Sequence, residues 1–203
     1  MIKAENFVYF VGKNIYINLT NRCPCACTFC IRQNGDGAYG SDSLWLAREP
    51  SADEVLSAIA EKDLTEVSEF VFCGYGEPME RAEDVSYIGK ELKRLYGKSV
   101  RLNTNGLSDL IHGKETAYLL EGAVDVVSVS LNSGDEECYL KVTRPKFGKG
   151  SFEAMQKFAV DCKKYVPNVM FTVVDVIPER EIELAKEISE KLGITLRIRK
   201  YES

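Results

Sequence analysis

The feature of this sequence that most constrains its fold is the alternation of short apolar segments with longer amphipathic ones. Six apolar segments, from IYINLT to TLRIRKY, have the length and composition of strands, and five helices are predicted between them. A short strand, FVYF, precedes the first of the six and is predicted to form a hairpin with it. Strands separated by helices pair in parallel through right-handed crossovers, so the chain is predicted to have an α/β fold.

Two α/β architectures fit this alternation, an open doubly wound sheet and a barrel or partial barrel. Along the strand VDVVSVSLN, Ser128, Ser130 and Asn132 fall on one face and apolar residues fall on the other, because side chains alternate in direction. A sheet covered by helices on both faces would carry apolar residues on both. The polar face therefore favours a barrel-like cavity. Either architecture places the ligand site at the carboxyl ends of the strands.

The composition excludes several classes of protein. The length of 203 residues predicts a single domain, 1–203. A net charge of −5 lacks the basic character expected of a nucleic-acid-binding protein. No apolar run approaches the ~20 residues of a membrane span, and the first residues lack the features of a signal peptide. The protein is therefore predicted to be cytoplasmic and to have no membrane partner.

The stretch CPCACTFC, residues 23–30, holds four of the seven cysteines and directly follows a predicted strand. In the reducing cytosol, clustered cysteines indicate metal ligands or catalysts rather than disulfides. Cys23, Cys27 and Cys30 form the pattern C-x3-C-x2-C. A structural zinc site is the simpler alternative, but the sequence offers no second cysteine or histidine pair downstream to complete it. His112 is the only histidine, and it is expected to lie in a solvent-facing loop.

Polar and glycine-rich stretches follow the other predicted strands, in the segments CGYGEP, NTNG, SLNS and DVIP. These segments are expected to meet at one rim of the sheet, which predicts a site there. Cys73 ends a strand beside this rim and could be a site or a core residue, whereas Cys162 lies in a predicted helix and is expected in the core.

Two further segments could contact a substrate. Residues 31–50 are predicted to form a long Gly-rich loop, and its Arg32, Trp45 and Arg48 are predicted to shape substrate access. The segment 141–164 carries seven basic and two acidic residues. It could face an anionic substrate, or it could simply be a solvated surface.

With these motifs in place, the chain resembles the radical S-adenosylmethionine (SAM) superfamily over essentially its whole length. The resemblance implies a (β/α)6 partial TIM barrel with a short N-terminal hairpin and no auxiliary cluster domain. It also implies that the thiolates of Cys23, Cys27 and Cys30 hold three irons of a [4Fe-4S] cluster, while the fourth iron binds the methionyl amine and carboxylate of SAM.

The activity that this resemblance implies is reductive cleavage of SAM to methionine and a 5′-deoxyadenosyl radical, which abstracts hydrogen from an unidentified substrate. An electron donor such as flavodoxin or ferredoxin is the implied partner. Cys25, between the first two ligands, is predicted to be a bystander whose side chain turns away from the cluster.

The resemblance further assigns SAM contacts to the strand ends. Glu77 would receive the methionyl ammonium, Phe29 would lie along the adenine, and Val176 and Ile177 would contact the adenine from the fifth strand. The full predicted set is Phe29, Gly74, Tyr75, Gly76, Glu77, Pro78, Asn103, Thr104, Asn105, Ser130, Asn132, Val176 and Ile177.

Within the superfamily, the chain is most similar to the small TatD-associated radical SAM proteins, through YINLTNRCPCACTFCIR, LWLAREPSADEV and VTRPKFGKGSFEA. This similarity implies a functional link to a TatD-type nuclease and nucleotide- or nucleic-acid-related chemistry. Two alternatives stay open. The first is an activase-like enzyme acting on a protein partner. Tyr75 among the glycines favours it, whereas the lack of an Asp-x-Lys pattern in the fourth strand disfavours it. The second is a non-catalytic zinc-binding module.

Overall fold

The computed structural model describes residues 3–200, which contain one seven-stranded sheet. The strands lie side by side in chain order, and only the first pair is antiparallel. They are β1 Val8–Val11, β2 Asn14–Ile17, β3 Glu69–Phe72, β4 Ser99–Thr104, β5 Val126–Ser130, β6 Asn168–Val174 and β7 Thr195–Arg199.

The connections between the parallel strands carry the helices. The α-helices are α1 Ala52–Ala60, α2 Ala82–Tyr96, α3 Ser108–His112, α4 Glu136–Thr143, α5 Ser151–Cys162 and α6 Glu179–Leu192. Short 3-10 helices span Ile31–Gln33, Pro78–Arg81 and Ala117–Leu120. The predicted α/β fold, the N-terminal hairpin and the six strands from IYINLT to TLRIRKY are confirmed.

The strand order argues against one of the two predicted architectures, the doubly wound sheet. A doubly wound sheet reverses its strand order at a switch point, whereas this order runs from β1 to β7 without reversal. The two faces of the sheet also differ. Phe70, Phe72 and Leu102 are fully buried in a core that includes Val85 and Ile88 of α2. The opposite face carries polar side chains and lines a cavity.

Local signals explain several element boundaries. Ser51 and Glu54 form the predicted capping box, in which the Ser51 hydroxyl accepts from Glu54 N and the Glu54 carboxylate accepts from Ser51 N. Gly97 ends α2 in the left-handed conformation at φ 62°, as its position in the sequence predicts.

Two helical predictions need correction. The helix predicted near 114–121 forms only the 3-10 turn Ala117–Leu120, because Gly113 and Gly122 bracket the segment with positive φ. The helix α4 is absent from the prediction. Its N-cap is Asp135, whose side chain accepts from Cys138 N, and its C-cap is Arg144, which has a φ of 46°.

Within residues 3–200, no helix is both long enough and apolar enough to span a membrane.

Candidate functional site

A cavity of about 550 Å³ lies on the polar face of the sheet, at the carboxyl ends of the strands. All four cysteines of the stretch 23–30 line it, together with Cys73. The cavity brings together every predicted site residue except two: its walls include Cys23, Cys27, Phe29, Cys30, Gly74, Tyr75, Gly76, Glu77, Pro78, Asn103, Thr104, Asn105, Ser130 and Asn132.

The two exceptions are Val176 and Ile177, which the structure does not place on the cavity. Alternation along β6 turns Thr172 and Val174 inward, and both line the cavity. The strand ends at Val174 and the chain then turns, so that Val176 is exposed and Ile177 packs into the core under the sheet.

The cysteine loop is held in place by the end of α4. Ala26 N donates to Thr143 O at 3.0 Å, Thr28 N donates to Val142 O at 2.8 Å, and Lys146 N donates to Pro24 O at 2.8 Å. Together with an isolated bridge between Cys25 and Pro145, these bonds form a short strap across the loop. The helix that sequence analysis missed therefore positions the cysteines.

Within the loop, the Cys25 thiol lies between those of Cys23 and Cys27 and within hydrogen-bonding reach of both. Its hydrogen bonds lower the pKa of both neighbouring thiols, while the same contacts and burial raise the pKa of Cys25. The prediction that the Cys25 side chain turns away from a bound cluster stays a prediction. The loop is compact enough that the middle residue stays between its neighbours and is buried.

The turn after β3 packs tightly against the segment that leads into the cysteines. Glu77 N donates to Arg22 O at 2.8 Å. A Cβ atom on Gly76 would lie 2.2 Å from Thr20 O, and one on Gly74 would lie 2.1 Å from Asn18 Oδ1. Both positions therefore require glycine because of the close approach of neighbouring atoms.

Glu77 is the buried carboxylate of the site. Its oxygens accept from Thr104 Oγ1 at 2.7 Å, from Asn105 N at 2.7 Å and from Met79 N at 3.1 Å. Burial raises the pKa of Glu77 to about 8, the Cys23 thiolate adds to that rise, and the three hydrogen bonds oppose it. Asn105 also donates from Nδ2 to Cys23 Sγ at 3.9 Å, which links the turn after β4 to the cysteine loop.

Two amide oxygens on the cavity wall have no partner. Asn103 Oδ1 and Asn132 Oδ1 are both buried and make no hydrogen bond within the described part of the chain. Asn132 also has a left-handed backbone, with a φ of 62°, directly after β5. Buried acceptors without partners are rare in proteins and indicate a missing ligand or solvent molecule.

The segment 31–50 is folded onto the hairpin rather than loose. The single hydroxyl proton of Tyr75 is shared between Gly35 O and Gly37 O, both at 2.9 Å, and the Tyr75 ring contacts Trp45 edge-on with ring centroids 5.1 Å apart. The Arg32 guanidinium lies over the Trp45 ring at 5.6 Å. Arg48 faces outward, where it pairs with Glu5 and Glu54.

The structure tests the predicted positions of Cys162 and His112. Cys162 is fully buried in the core, as predicted. His112 is the last residue of α3 and not a free loop residue, because its Nε2 lies 2.7 Å from Met79 O.

The cavity also has a basic and aromatic part, which the sequence did not predict. The basic side chains that line it are those of Arg101 in β4, Arg197 and Arg199 in β7, and Lys200. Tyr9 and Tyr16 of the hairpin line it as well. The alternation in TLRIRK does place both arginines on one face of a strand, but which face meets the cavity depends on the sheet.

The fold and this cavity define a class of α/β protein with a ligand site at the carboxyl ends of its parallel strands, beside a cysteine loop. Residues 17–192 match the family described as the radical SAM superfamily. The chain belongs to that superfamily of enzymes, and its membership implies a [4Fe-4S] cluster and SAM as cofactors.

Curated relatives share only part of their length with this chain. A probable dual-specificity RNA methyltransferase RlmN of Nostoc punctiforme is 27% identical over 176 residues, which are 81% of this chain and 44% of the relative. A GTP 3′,8-cyclase of Limosilactobacillus fermentum is 30% identical over 131 residues, 64% of this chain and 36% of the relative. The chain thus spans less than half the length of these relatives.

Solved structures agree on the fold. Native anSMEcpe with bound AdoMet has a TM-score of 0.62 at 17% identity, covering 93% of this chain and 51% of that chain. Streptococcus suis SuiB bound to precursor peptide SuiA has a TM-score of 0.66 at 16% identity, covering 92% and 39%. At these identities the likeness establishes a common fold.

Proposed function

We propose that this chain is a radical SAM enzyme that binds its cluster through Cys23, Cys27 and Cys30 and acts on a substrate held in the same cavity. The observation that carries the proposal is that these three thiols, the turn 74–78 and the turn 103–105 line one cavity. The three thiolates would hold the cluster, which would supply the electron for reductive cleavage of SAM to methionine and a 5′-deoxyadenosyl radical able to abstract hydrogen from the substrate.

The structure favours these residues as holders of the cofactors on chemical grounds. Thiolates are the ligands that iron–sulfur clusters use. No group of three metal-binding side chains within residues 3–200 is already arranged around a single point. The contacts of Cys25 with Cys23 and Cys27 would therefore have to give way when a cluster binds.

The chain's own groups suit the polar parts of SAM. An ammonium bound beside Glu77 would lower the raised pKa of Glu77 and so keep its carboxylate charged. The unpartnered oxygens of Asn103 and Asn132 offer acceptors to hydroxyl or amine groups. Gly74 and Gly76 keep the turn close to the sheet, so that backbone groups face the cavity. The aromatic ring of Phe29 can cover one face of the adenine.

We further propose that the sheet is a (β/α)6 partial barrel and that residues 1–203 act as a single domain. The sequential strand order, with a helix-covered face and a polar face, supports a curled sheet over a flat one. A flavodoxin or ferredoxin would supply the electron from outside the chain. The motif similarity to the TatD-associated proteins is the ground for placing this chain in that subgroup and for a functional link to a TatD-type nuclease.

Anaerobic purification followed by incubation with SAM tests the proposal. The reconstituted protein is expected to be brown, to contain close to four irons and four sulfides per chain, and to release 5′-deoxyadenosine after reduction. A colourless protein that holds one zinc per chain and releases no 5′-deoxyadenosine would overturn it in favour of a zinc-binding module.

A further inference from the structure

The inner face of β7 concentrates positive charge in the cavity. Arg197 and Arg199 are two residues apart, so their side chains extend from the same face of the strand. They pair in the sheet with Thr172 and Val174, which also line the cavity. Lys200 follows directly and lines the cavity too. Three cationic side chains from four consecutive residues therefore border one part of the cavity.

These charges lack the internal partners that other cations of the chain have. Arg101, on the same face, is neutralised by Glu69 at 2.8 Å. By contrast, no carboxylate within residues 3–200 forms an ion pair with Arg197, Arg199 or Lys200. The Nε of Arg199 is also buried without a hydrogen-bond partner in that part of the chain.

Apart from the cysteine thiols, which the proposed function assigns to the cluster, the described lining residues supply little negative charge to balance them. Glu77 is the one carboxylate among its described lining residues, and both of its oxygens already accept hydrogen bonds. The basic segment 141–164, which the sequence offered as a contact for anions, contributes no residue to the cavity. Several of its lysines pair on the surface instead, for example Lys141 with Glu137 and Lys164 with Asp161.

We propose that Arg197, Arg199 and Lys200 bind a phosphate group of the substrate. This inference rests on the proposed function, which places the substrate in this cavity. Guanidinium groups match the oxygens of phosphates and carboxylates with paired hydrogen bonds. Three cations exceed the single charge of a carboxylate, whereas a phosphomonoester carries about −1.5 to −2 at pH 7 and three acceptor oxygens. The charge balance therefore selects a phosphate-bearing substrate.

Inorganic phosphate is the probe for this site, with acetate as the carboxylate probe. Binding of each ion to the full-length, anaerobically reconstituted protein is measured by calorimetry at constant ionic strength, because salt screens charge contacts. Phosphate is expected to bind more tightly than acetate. The double variant Arg197→Gln with Arg199→Gln should bind phosphate roughly ten- to a hundredfold more weakly. Lys186→Gln removes one positive charge from the exposed face of α6, as each arginine replacement does in the cavity, and should leave binding unchanged.

Equal phosphate affinity in the parent and the double variant would overturn the inference, and so would acetate binding as tight as phosphate binding. Circular dichroism checks the fold of each variant. If the double variant does not fold, Arg197→Gln alone, with its exposed side chain, should still weaken phosphate binding, and Arg197→Lys should restore part of it. A parent that releases 5′-deoxyadenosine but binds no phosphate would refute this site alone. A parent that binds phosphate at β7 but never cleaves SAM would refute the proposed function alone.

Discussion

The Thr104 hydroxyl donates to a carboxylate oxygen of Glu77 at 2.7 Å, and this bond ties the end of β4 to the turn that follows β3. The second Glu77 oxygen accepts from the backbone of Asn105, and Met79 N completes the set. One buried side chain therefore fixes two of the turns that line the cavity. If Glu77 also contacts a ligand, the same side chain both binds that ligand and holds the two turns together.

Glu77→Gln is predicted to weaken SAM binding by about one to two decades while the iron content stays the same. The amide removes the negative charge opposite an ammonium, and charge-assisted bonds of this kind contribute about 1.5 to 3 kcal/mol. Equilibrium dialysis with SAM measures the affinity. Glu83→Gln is the matched control, because the Glu83 side chain is 82% exposed and pairs only weakly, with Lys114. SAM affinity equal to that of the parent would remove Glu77 from the ammonium site.

A second prediction concerns the close approach at Gly76. A methyl group at this position would meet Thr20 O at 2.2 Å, so Gly76→Ala must displace either the turn or the segment before the cysteines. Overpacking of this kind typically costs about 1 to 3 kcal/mol. We expect a lower thermal midpoint and weaker SAM binding.

Gly35→Ala provides the control for this effect, because the nearest atom to its added methyl would be 3.9 Å away. A general effect of replacing glycine by alanine would lower the melting temperatures of both variants equally. An effect of crowding would lower that of Gly76→Ala alone, because only Gly76 is closely surrounded. Equal melting temperatures for the two variants would show that the turn after β3 can move without cost.

The third prediction concerns the segment 31–50, which Tyr75 holds through a hydroxyl proton shared between Gly35 O and Gly37 O. Tyr75→Phe keeps the ring contact with Trp45 but removes this shared bond, at a cost of about 1 kcal/mol. The segment should then become more sensitive to limited proteolysis, with the iron content unchanged. Tyr118→Phe, whose ring is exposed, is the control. Loss of iron from Tyr75→Phe would show that the segment supports the cysteine loop rather than access to the cavity.

Local features of the sequence were the ones that could be predicted. The strands, the capping box at Ser51 and the C-terminal stop at Gly97 each depend on neighbouring residues. The polar face of β5 also indicated the cavity correctly, because alternation along a strand is a local property. These features sufficed to predict that the turns 74–78 and 103–105 would meet the cysteine loop.

The remaining features depend on contacts between distant segments. The helix α4 contacts the cysteine loop through hydrogen bonds from residues 26 and 28, more than a hundred positions earlier in the chain. Val176 and Ile177 leave the cavity because the chain turns after Val174, and no glycine marks that turn. The same limit applies to Cys25, whose position between two other thiols follows from the packing of the whole loop.

The last prediction concerns Cys25, whose thiol contacts both Cys23 and Cys27. A cluster that binds SAM leaves only three of its irons for protein thiolates, so one of the four cysteines in the loop cannot be a ligand. Cys25→Ala is predicted to take up about as much iron and sulfide as the parent and to release 5′-deoxyadenosine. Alanine at Cys23, Cys27 or Cys30 should abolish that release and most of the iron. Cys138→Ala, in α4 and away from the cavity lining, is the control for replacing any cysteine. Loss of iron from Cys25→Ala, together with its retention in Cys23→Ala, would show that the ligands are Cys25, Cys27 and Cys30, and the C-x3-C-x2-C assignment would fall.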